Sequence, residues 1–344
     1  MAKQTGKPEA EPKRNENSAL GELRAALLAW YAHHKRDLPW RRDRDAYRVW
    51  VSEIMLQQTR VAAVLEHYRA FLEAFPTVEA LALAPEQQVL ALWSGLGYYR
   101  RARMMHQAAK LVVSELQGVI PHAVEELRKL PGVGRYTAAA IVSIAFGEPV
   151  AVVDGNVERV LSRLDGEPRA DGSAWQRAQE LLDLRHAGDW NQAMMELGAT
   201  VCTPKSPQCL VCPVRVWCRA PGAGTSQPRA ARRRVRATRA LIERNDCVYL
   251  VQRASDEPKM AGMWELPECA GEITDRRAEH GAEELCVVRH SITDTDYEVH
   301  VVRLRLKELK ASDKKAGRWV ERGRLLELPL TGLTRKILRK QGLR

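Results

Sequence analysis

The chain has 344 residues, 45% of them hydrophobic, which is enough for two or three domains with real cores. Lys and Arg outnumber Asp and Glu by 54 to 43, a formal charge of +11 that favours an anionic partner, nucleic acid first, though many basic proteins bind none. No apolar run reaches the roughly 18 residues of a membrane-spanning helix, and residues 1–17 have no apolar core, so they are expected to be a disordered polar tail rather than a secretory signal.

From Ser18 to Arg219 the period is helical. One helical stretch, "VWVSEIMLQQTRV" (Val49 to Val61), is mostly apolar yet carries Glu53 between Val51 and Ile54. Either Glu53 faces solvent, or it is a buried acid with a raised pKa that can give a proton at neutral pH. "VAAVLEHYRAFLEAF" puts Val61, Val64, Leu65, Tyr68 and Leu72 on one face. The stretch from Val78 to Leu116 holds two or three more helices, punctuated by Pro85, Gly95 and Gly97. "LPGVGRYTAAAI" (Leu130 to Ile141) brackets Val133 with Gly132 and Gly134 ahead of a helix of small and branched residues. Its backbone N–H groups and helix dipole suit a phosphate, but an ordinary helix–turn–helix corner fits as well, and only the positive charge tilts the choice. "DGNVERVLSRL" spaces Val157, Val160, Leu161 and Leu164 as one apolar stripe.

Cys202, Cys209, Cys212 and Cys218 form C-x6-C-x2-C-x5-C within a short irregular segment, 202–218. Thiolates so close in sequence can wrap one metal centre. A single C-x2-C arm suits a [4Fe–4S] cluster better than zinc, and a disulfide pairing reads poorly without a secretory signal. Cys247, Cys269 and Cys286 have no ligand spacing and read as small buried hydrophobes.

The period then breaks. Residues 220–235 are rich in Gly, Pro, Ser and Arg and read as a basic linker. Beyond it the period becomes two. "ATRALIERNDCVYLVQR" reads as two strands around Asn245-Asp246, "VVRLRLK" as a half-buried strand, and "LPLTGLTRKILRK" as a helix. The expected architecture is an all-α domain over 18–219 followed by a smaller α+β domain over 236–344.

The hairpin "LPGVG", then "VDGNV", then the cysteine run together resemble the endonuclease III (helix–hairpin–helix) superfamily of DNA glycosylases. "LPWR", "VSEIMLQQT", "GLGYYRRAR", "DGNVERVLSR" and "NQAMMELGATVC" resemble its MutY-type adenine glycosylase branch, and "GMWELPE" resembles that branch's Nudix-like C-terminal domain. The resemblance implies excision of adenine opposite 8-oxoguanine or guanine in duplex DNA, with the four cysteines on a [4Fe–4S] cluster. It implies a monomer of bacterial type, cytoplasmic and DNA-associated, with no membrane. It makes Glu53 the acid that protonates adenine and Asp154 the ionised partner that stabilises the sugar cation. Asp154 also reads as the N-cap of its helix, and both roles can hold. Tyr136 and Asn156 are implied to hydrogen-bond these acids.

Gln57, Gln58 and Thr59, with Leu96, Gly97 and Tyr98, are implied to extrude the base, Tyr98 as wedge, and Tyr99 reads as packing core. Gly132, Val133 and Gly134 would take a phosphate. Arg36, Leu38, Trp40, Arg41 and Gln192 resemble the adenine pocket, although Trp40 reads equally well as core. Arg229, Arg232, Arg233, Arg234, Arg236 and Arg239 would hold phosphates. Lyase members of the superfamily carry a Schiff-base Lys just after the hairpin. Tyr136 stands there instead, and a phenol forms no imine, so excision without strand cleavage is expected.

The alternatives are an endonuclease III-like glycosylase/lyase for damaged pyrimidines, which Tyr136 disfavours, and a non-catalytic DNA-binding relative, which would lack Glu53 or Asp154. A Nudix pyrophosphatase would need the box G-x5-E-x7-R-E-x3-E-E-x-G, and "GEITDRRAEHGAEELC" does not supply it. One departure stands out. Where the branch shows Phe-Ser-His after Arg-His, this chain has Ile292, Thr293 and Asp294. Thr293 can replace Ser, but Asp294 turns a donor into an acceptor, so weaker preference for 8-oxoguanine is expected.

Overall fold

Backbone N–H and C=O groups must be paired wherever they leave water, and up to Arg219 the chain meets that demand with helices. A computed structural model describes residues 16–168, 172–222, 231–257, 259–269, 283–292, 294–309 and 317–343. The helices are α1 Glu16–His34, α2 Ala46–Leu56, α3 Val61–Ala74, α4 Val78–Leu83, α5 Glu86–Trp93, α6 Arg100–Leu116, α7 Val124–Leu127, α8 Arg135–Ala145, α9 Gly155–Asp165, α10 Ser173–Leu181 and α11 Ala187–Thr200. Helix α1 thus begins inside the span expected to be a tail, and residues 1–15 lie outside the described residues.

By internal packing the chain divides into two compact units that do not follow chain order: Met1–Val49, His122–Arg128 and Val133–Gln227 in one, Trp50–Pro121, Lys129–Gly132 and Pro228–Arg344 in the other. In the first, α11 packs against α1, α8 and α9. Leu23, Leu27 and Tyr31 of α1 meet Trp190, Met194 and Leu197 of α11, and the expected α9 stripe of Val157, Val160, Leu161 and Leu164 is buried among them. Two glycines let α11 come close. A Cβ on Gly188 would stand 2.6 Å from Ser143 O, and one on Gly198 2.6 Å from Asn156 Cβ and 2.9 Å from Asn156 O.

In the second unit α4 and α5 pack on α6, and α3 packs on α5. The buried stripe of α3 is Val64, Tyr68 and Phe71, with Val61, Leu65 and Leu72 half-buried at its margin. Phe71 meets Phe75 and Trp93 edge-on, with ring centroids 4.9 and 6.0 Å apart, a geometry the ring quadrupoles favour.

The C-terminal part of this unit holds strands β1 Arg233–Leu241, β2 Glu243–Arg244, β3 Cys247–Gln252, β4 Trp264–Glu265, β5 Glu268–Cys269, β6 Glu283–Ile292, β7 Thr295–Arg303 and β8 Gly317–Glu321, followed by α12 Gly332–Lys340. One sheet runs β5-β1-β7-β6, with β1 and β7 parallel; in the other, β3 pairs β2, β4 and β8. The expected turn is present: Asn245 and Asp246 take φ 47° and 60° between β2 and β3, the left-handed pair a tight hairpin needs. Arg233, Arg234 and Val235, expected at the end of the linker, are the first residues of β1 and pair with Thr295, Asp296 and Tyr297. Strand β7 stops at Arg303, short of Lys307, because the Glu308 carboxylate accepts from Arg305 N at 2.7 Å and turns the chain. Helix α12 starts only at Gly332, after Pro329, with Thr331 as its N-cap. Ser94 Oγ donates to Leu330 O at 2.6 Å, and the Arg335 guanidinium donates to Ser94 O, tying the C-terminal part to the end of α5.

The approach of α11 to α9 makes Gly198 testable. Alanine there would favour the helix by about 1 kcal/mol, but overpacking costs about 1–3 kcal/mol and Asn156 O is backbone, which cannot swing aside. With the upper end of that cost, Gly198→Ala should lower the unfolding free energy by about 2 kcal/mol in urea titration; unchanged or raised stability would mean α11 is free to move away.

Candidate active site

Glu53 lies on α2 between Val51 and Ile54, both buried, and is itself only 6% exposed. The solvent-facing reading fails. Beyond α2 the chain turns through Gln57, Gln58 and Thr59, where Gln58 takes φ 57°. A second loop holds Gly95 to Tyr98. In it Leu96 is buried, Gly97 half-buried, and Tyr98 is 48% exposed with φ 49°, whereas Tyr99 is buried as packing core.

The hairpin begins with Leu130, buried, and Gly132 turns it at φ 78°, where a Cβ would lie 2.8 Å from Met104 Cβ. Val133 is buried and Gly134 is the N-cap residue of α8. The first N–H groups of α8 have no partner within the helix, which is what an anion site requires. Tyr136, in the first turn of α8, is half-buried, and its Oη donates to Met195 Sδ at 3.4 Å.

Asp154 is the N-cap of α9. Its Oδ1 accepts from Asn156 N at 2.9 Å and Val157 N at 2.8 Å, and its Oδ2 accepts from Asn156 Nδ2 at 2.8 Å. Three N–H donors and a helix N-terminus form an environment suited to an anion. Asn156 in turn accepts from Arg159 Nη2 at 2.9 Å, and Arg159 also donates to Gly198 O at 2.7 Å and, through Nε, to Cys202 O at 2.9 Å. Burial pulls the Arg159 guanidinium below its ordinary range.

Cys202 follows α11; beyond it Cys209 opens one 3₁₀ turn that Cys212 ends, and Cys218 ends a second, Arg215–Trp217. Burial, with the charges of Cys202, Cys218 and Cys209, pushes the Cys212 thiol up to about 11. The sulfurs are also hydrogen-bond acceptors, from Arg163 Nη1 to Cys202 Sγ and from Gly222 N to Cys209 Sγ, both at 3.2 Å. Among the described residues no three His, Cys, Asp or Glu side chains are drawn together as metal ligands. The fit to a metal centre therefore rests on the donor set: four thiols on one short loop, two of them facing N–H donors. Cys269 is buried, and Cys247 and Cys286 are half-buried.

Two of the expected adenine-pocket residues, Arg36 and Arg41, converge on Glu196, which was not among the expected site residues. Arg36 donates to Glu196 through Nε and Nη2, both at 2.7 Å, and through its backbone N at 3.1 Å; Arg41 Nη2 adds a bond of 2.9 Å. The Glu196 side chain is fully buried. Its burial would raise the carboxyl, but the bonds from Arg36 and Arg41 prevail and hold it at about 2. Leu38 and Trp40 are buried beside this cluster in sequence, and Gln192 is half-buried on α11. The signal for Glu196 was the same as for Glu53: a lone acid in an apolar helix, "AMMELGA".

Residues 51–182 match the family described as HhH-GPD superfamily base excision DNA repair protein, and residues 238–340 match a NUDIX domain. The match to the HhH-GPD family thus falls within the helical region of this chain. Adenine DNA glycosylases are similar: that of Homo sapiens is 52% identical over 213 residues, 58% of this chain and 39% of that protein, and that of Arabidopsis thaliana 45% over 231 residues, 58% and 36%. One from Buchnera aphidicola is 37% identical over 199 residues, 56% and 57%. The chain thus spans well under two thirds of these relatives. Among solved structures, a thermostable thymine-DNA glycosylase is 28% identical with TM-score 0.54, covering 59% of this chain and 97% of its own. A trapped endonuclease III–DNA covalent intermediate is 26% identical with TM-score 0.51, covering 59% and 94%.

In the NUDIX domain, residues 270–282, which hold most of "GEITDRRAEHGAEELC", lie outside the described residues, as do Thr293 and Arg229. Asp294 Oδ1 accepts from Thr295 Oγ1 at 3.1 Å. Asp296 is the more engaged acid: it accepts from Ser291 Oγ at 2.6 Å and Arg232 Nε at 2.8 Å, bonds that lower its carboxyl. Among the arginines expected to hold phosphates, Arg239 does not stand free for one. It is buried, with Glu265 at 3.3 Å and Glu268 at 3.1 Å. Arg232, Arg233, Arg234 and Arg236 are exposed.

The depressed Glu196 carboxyl has a consequence with a definite sign. A folded pKa of about 2, below the ordinary carboxylate value, gives stability that is whole above about pH 4.5 and drains as pH falls toward 2. Glu196→Gln leaves two arginines short of a partner. Because Arg36 is 40% exposed and can turn to water, the cost at pH 7 should be about 2–3 kcal/mol, below that of a fully buried pair. In urea titrations the gap between wild type and variant should narrow from pH 4.5 downward. A gap that stays constant to pH 3 would show that the carboxylate is not held by these arginines.

Proposed function

We propose that this chain is a monofunctional DNA glycosylase that hydrolyses the N-glycosidic bond of adenine mispaired with 8-oxoguanine or guanine in double-stranded DNA. The observation that carries the reading is the contrast between two carboxylates: Glu53, 6% exposed in an apolar helix, and Asp154, capped by three N–H donors. Two acids in such different surroundings suit opposite protonation states. The named activity of the similar adenine DNA glycosylases supports the same substrate.

In this reading Glu53 passes its proton to N7 of the extruded adenine. The bond to C1′ then breaks with its electron pair moving to the base, which leaves neutral. The Asp154 carboxylate stabilises the cationic sugar, by charge or by a transient bond to C1′. Water adds to C1′ and gives up a proton, leaving an abasic site. Asn156 fixes the Asp154 carboxylate, and Tyr136 offers a phenol where a lyase needs an amine. Gly132, Val133 and Gly134 hold a phosphate, while Gln57, Gln58, Thr59, Leu96, Gly97 and Tyr98 fill the space the base leaves. Leu38, Trp40 and Gln192, with Arg36 and Arg41 braced on Glu196, line the adenine pocket.

Cys202, Cys209, Cys212 and Cys218 would hold a [4Fe–4S] cluster, which supplies a cross-link to a loop whose only regular structure is two 3₁₀ turns. The loop 291–296, Thr293 included, inspects the base opposite adenine, with Asp294 weakening the preference for 8-oxoguanine. The protein acts as a monomer on DNA in the cytoplasm.

The direct test is single-turnover excision on duplexes carrying adenine opposite 8-oxoguanine, G, C or T. Glu53→Gln or Asp154→Asn should slow excision at least ~10²-fold, the scale of general acid catalysis, while duplex binding survives. Near-normal turnover by either variant removes the two-carboxylate mechanism. Product strands should stay intact until alkali treatment, and efficient borohydride trapping would point instead to a glycosylase/lyase.

The metal reading is tested on purified protein. It should be yellow-brown, with about four irons per chain. Colourless, active protein with one zinc would overturn the cluster.

A further inference from the structure

Arg101 lies in the first turn of α6 and belongs to none of the roles assigned above. Its guanidinium gathers acceptors from three segments. Nη1 donates to Ile54 O at 2.7 Å, Met55 O at 3.2 Å and Gln57 O at 2.5 Å; Nη2 donates to Thr59 Oγ1 at 3.1 Å and Gly97 O at 3.2 Å. Its flat face lies against the Trp93 and Tyr98 rings, 5.4 and 5.5 Å from their centroids. Trp93 Nε1 also donates to Gly97 O at 3.1 Å, and Thr59 Oγ1 to Gln57 O at 3.2 Å.

Two physical facts give this hub meaning. Ile54 and Met55 are among the last residues of α2, whose terminal carbonyls lack helical partners and attract a cation. Arg101 therefore caps the helix that carries Glu53. Further, each loop it grips holds a side chain at left-handed φ, Gln58 at 57° and Tyr98 at 49°, a conformation that residues with a Cβ rarely keep unless their surroundings impose it. Burial lowers the Arg101 guanidinium to about 10, so it stays charged at neutral pH. A lysine cannot replace it. One ammonium lacks the planar fork that reaches both loops at once and stacks on two rings.

We propose that Arg101 is a positioning residue that clamps Gln57–Thr59 and Leu96–Tyr98 into one preformed wedge and sets the end of the Glu53 helix against it; this rests on the glycosylase reading. The clamp keeps the wedge built before DNA arrives, so that the ordering of two loops is not added to the unstacking of a base.

The test uses the full chain with Arg101→Lys and Arg101→Gln, and with Thr59→Val as a milder variant that removes one end of the clamp. Extrusion is read as the rise in fluorescence of 2-aminopurine opposite 8-oxoguanine, in a Glu53→Gln background where nothing is cleaved. Excision is read at single turnover on a mismatched duplex and on a duplex whose adenine is already looped out as a bulge. The arginine variants should lose most of the fluorescence rise and slow excision from the mismatch by about 10²-fold, the scale of a misplaced reacting group, yet fall within about threefold of wild type on the bulge, where the unstacking cost is already met. Thr59→Val should move both readouts the same way by less. A normal fluorescence rise in a folded arginine variant, or equal losses on mismatch and bulge, overturns the clamp. If the arginine variants do not fold, Thr59→Val decides alone, and its wild-type behaviour overturns the proposal. Wild-type protein that raises the fluorescence but cleaves neither substrate sinks the glycosylase reading and leaves the clamp standing.

Discussion

The first compact unit depends on how closely one helix can approach its neighbours. Helix α11 reaches the backbone of α8 and α9 only because positions 188 and 198 have no Cβ. From that placement the rest follows. Asn191 Oδ1 accepts from Val152 N at 3.1 Å and its Nδ2 donates to Val150 O at 2.8 Å, so α11 holds the extended run that delivers Asp154 to the mouth of α9. Met195 meets the Tyr136 hydroxyl, Glu196 gathers Arg36 and Arg41, Gly198 O takes Arg159, and Cys202 begins where the helix ends. One helix is thus the common support of the capped acid, the arginine pair and the cysteine loop. A shift of α11 would disturb all three together.

Glu53, Asp154 and Glu196 show how burial alone leaves a role undecided. Glu196 is the most deeply buried, yet two guanidiniums keep it strongly acidic. Asp154 is half-buried and meets N–H donors from its own helix turn. Glu53 is as hidden as a core residue, on a helix whose neighbours at 51 and 54 are apolar. Glu196 is thus an anchor for two guanidiniums and Asp154 a helix cap, and burial is common to Glu196 and Glu53 without giving them the same role.

Much of this was legible in the chain because its determinants are local. The α9 stripe, the Asn245-Asp246 turn and the Asp154 cap each depend on residues within one or two turns of one another. The lone acid in an apolar helix was legible too, but the signal occurs twice, and only Glu53 was read from it; Glu196 has partners 155 and 160 positions away, which no spacing displays. Arg101 was hidden differently. It sits in a run of arginines, "YYRRAR", and most of its acceptors are backbone carbonyls, which every residue has.

The arginine run at the start of β1 shows why composition overstates a binding surface. Arg232, Arg233, Arg234, Arg236 and Arg239 look alike in the sequence. The strand buries only the last, between Glu265 and Glu268. Arg232 and Arg236 also have carboxylates nearby, Asp296 at 2.8 Å and Glu298 at 3.5 Å, but those pairs stand in water. An exposed pair is worth about 0–1 kcal/mol, so a polyanion can exchange for either carboxylate at small cost. Releasing Arg239 would break a buried pair and leave Glu265 to Arg253 alone, a larger penalty. The charge that counts toward an anionic partner is therefore the part whose present partners are cheap to leave. On this strand that is the exposed end, Arg232 to Arg236, beside the 291–296 loop.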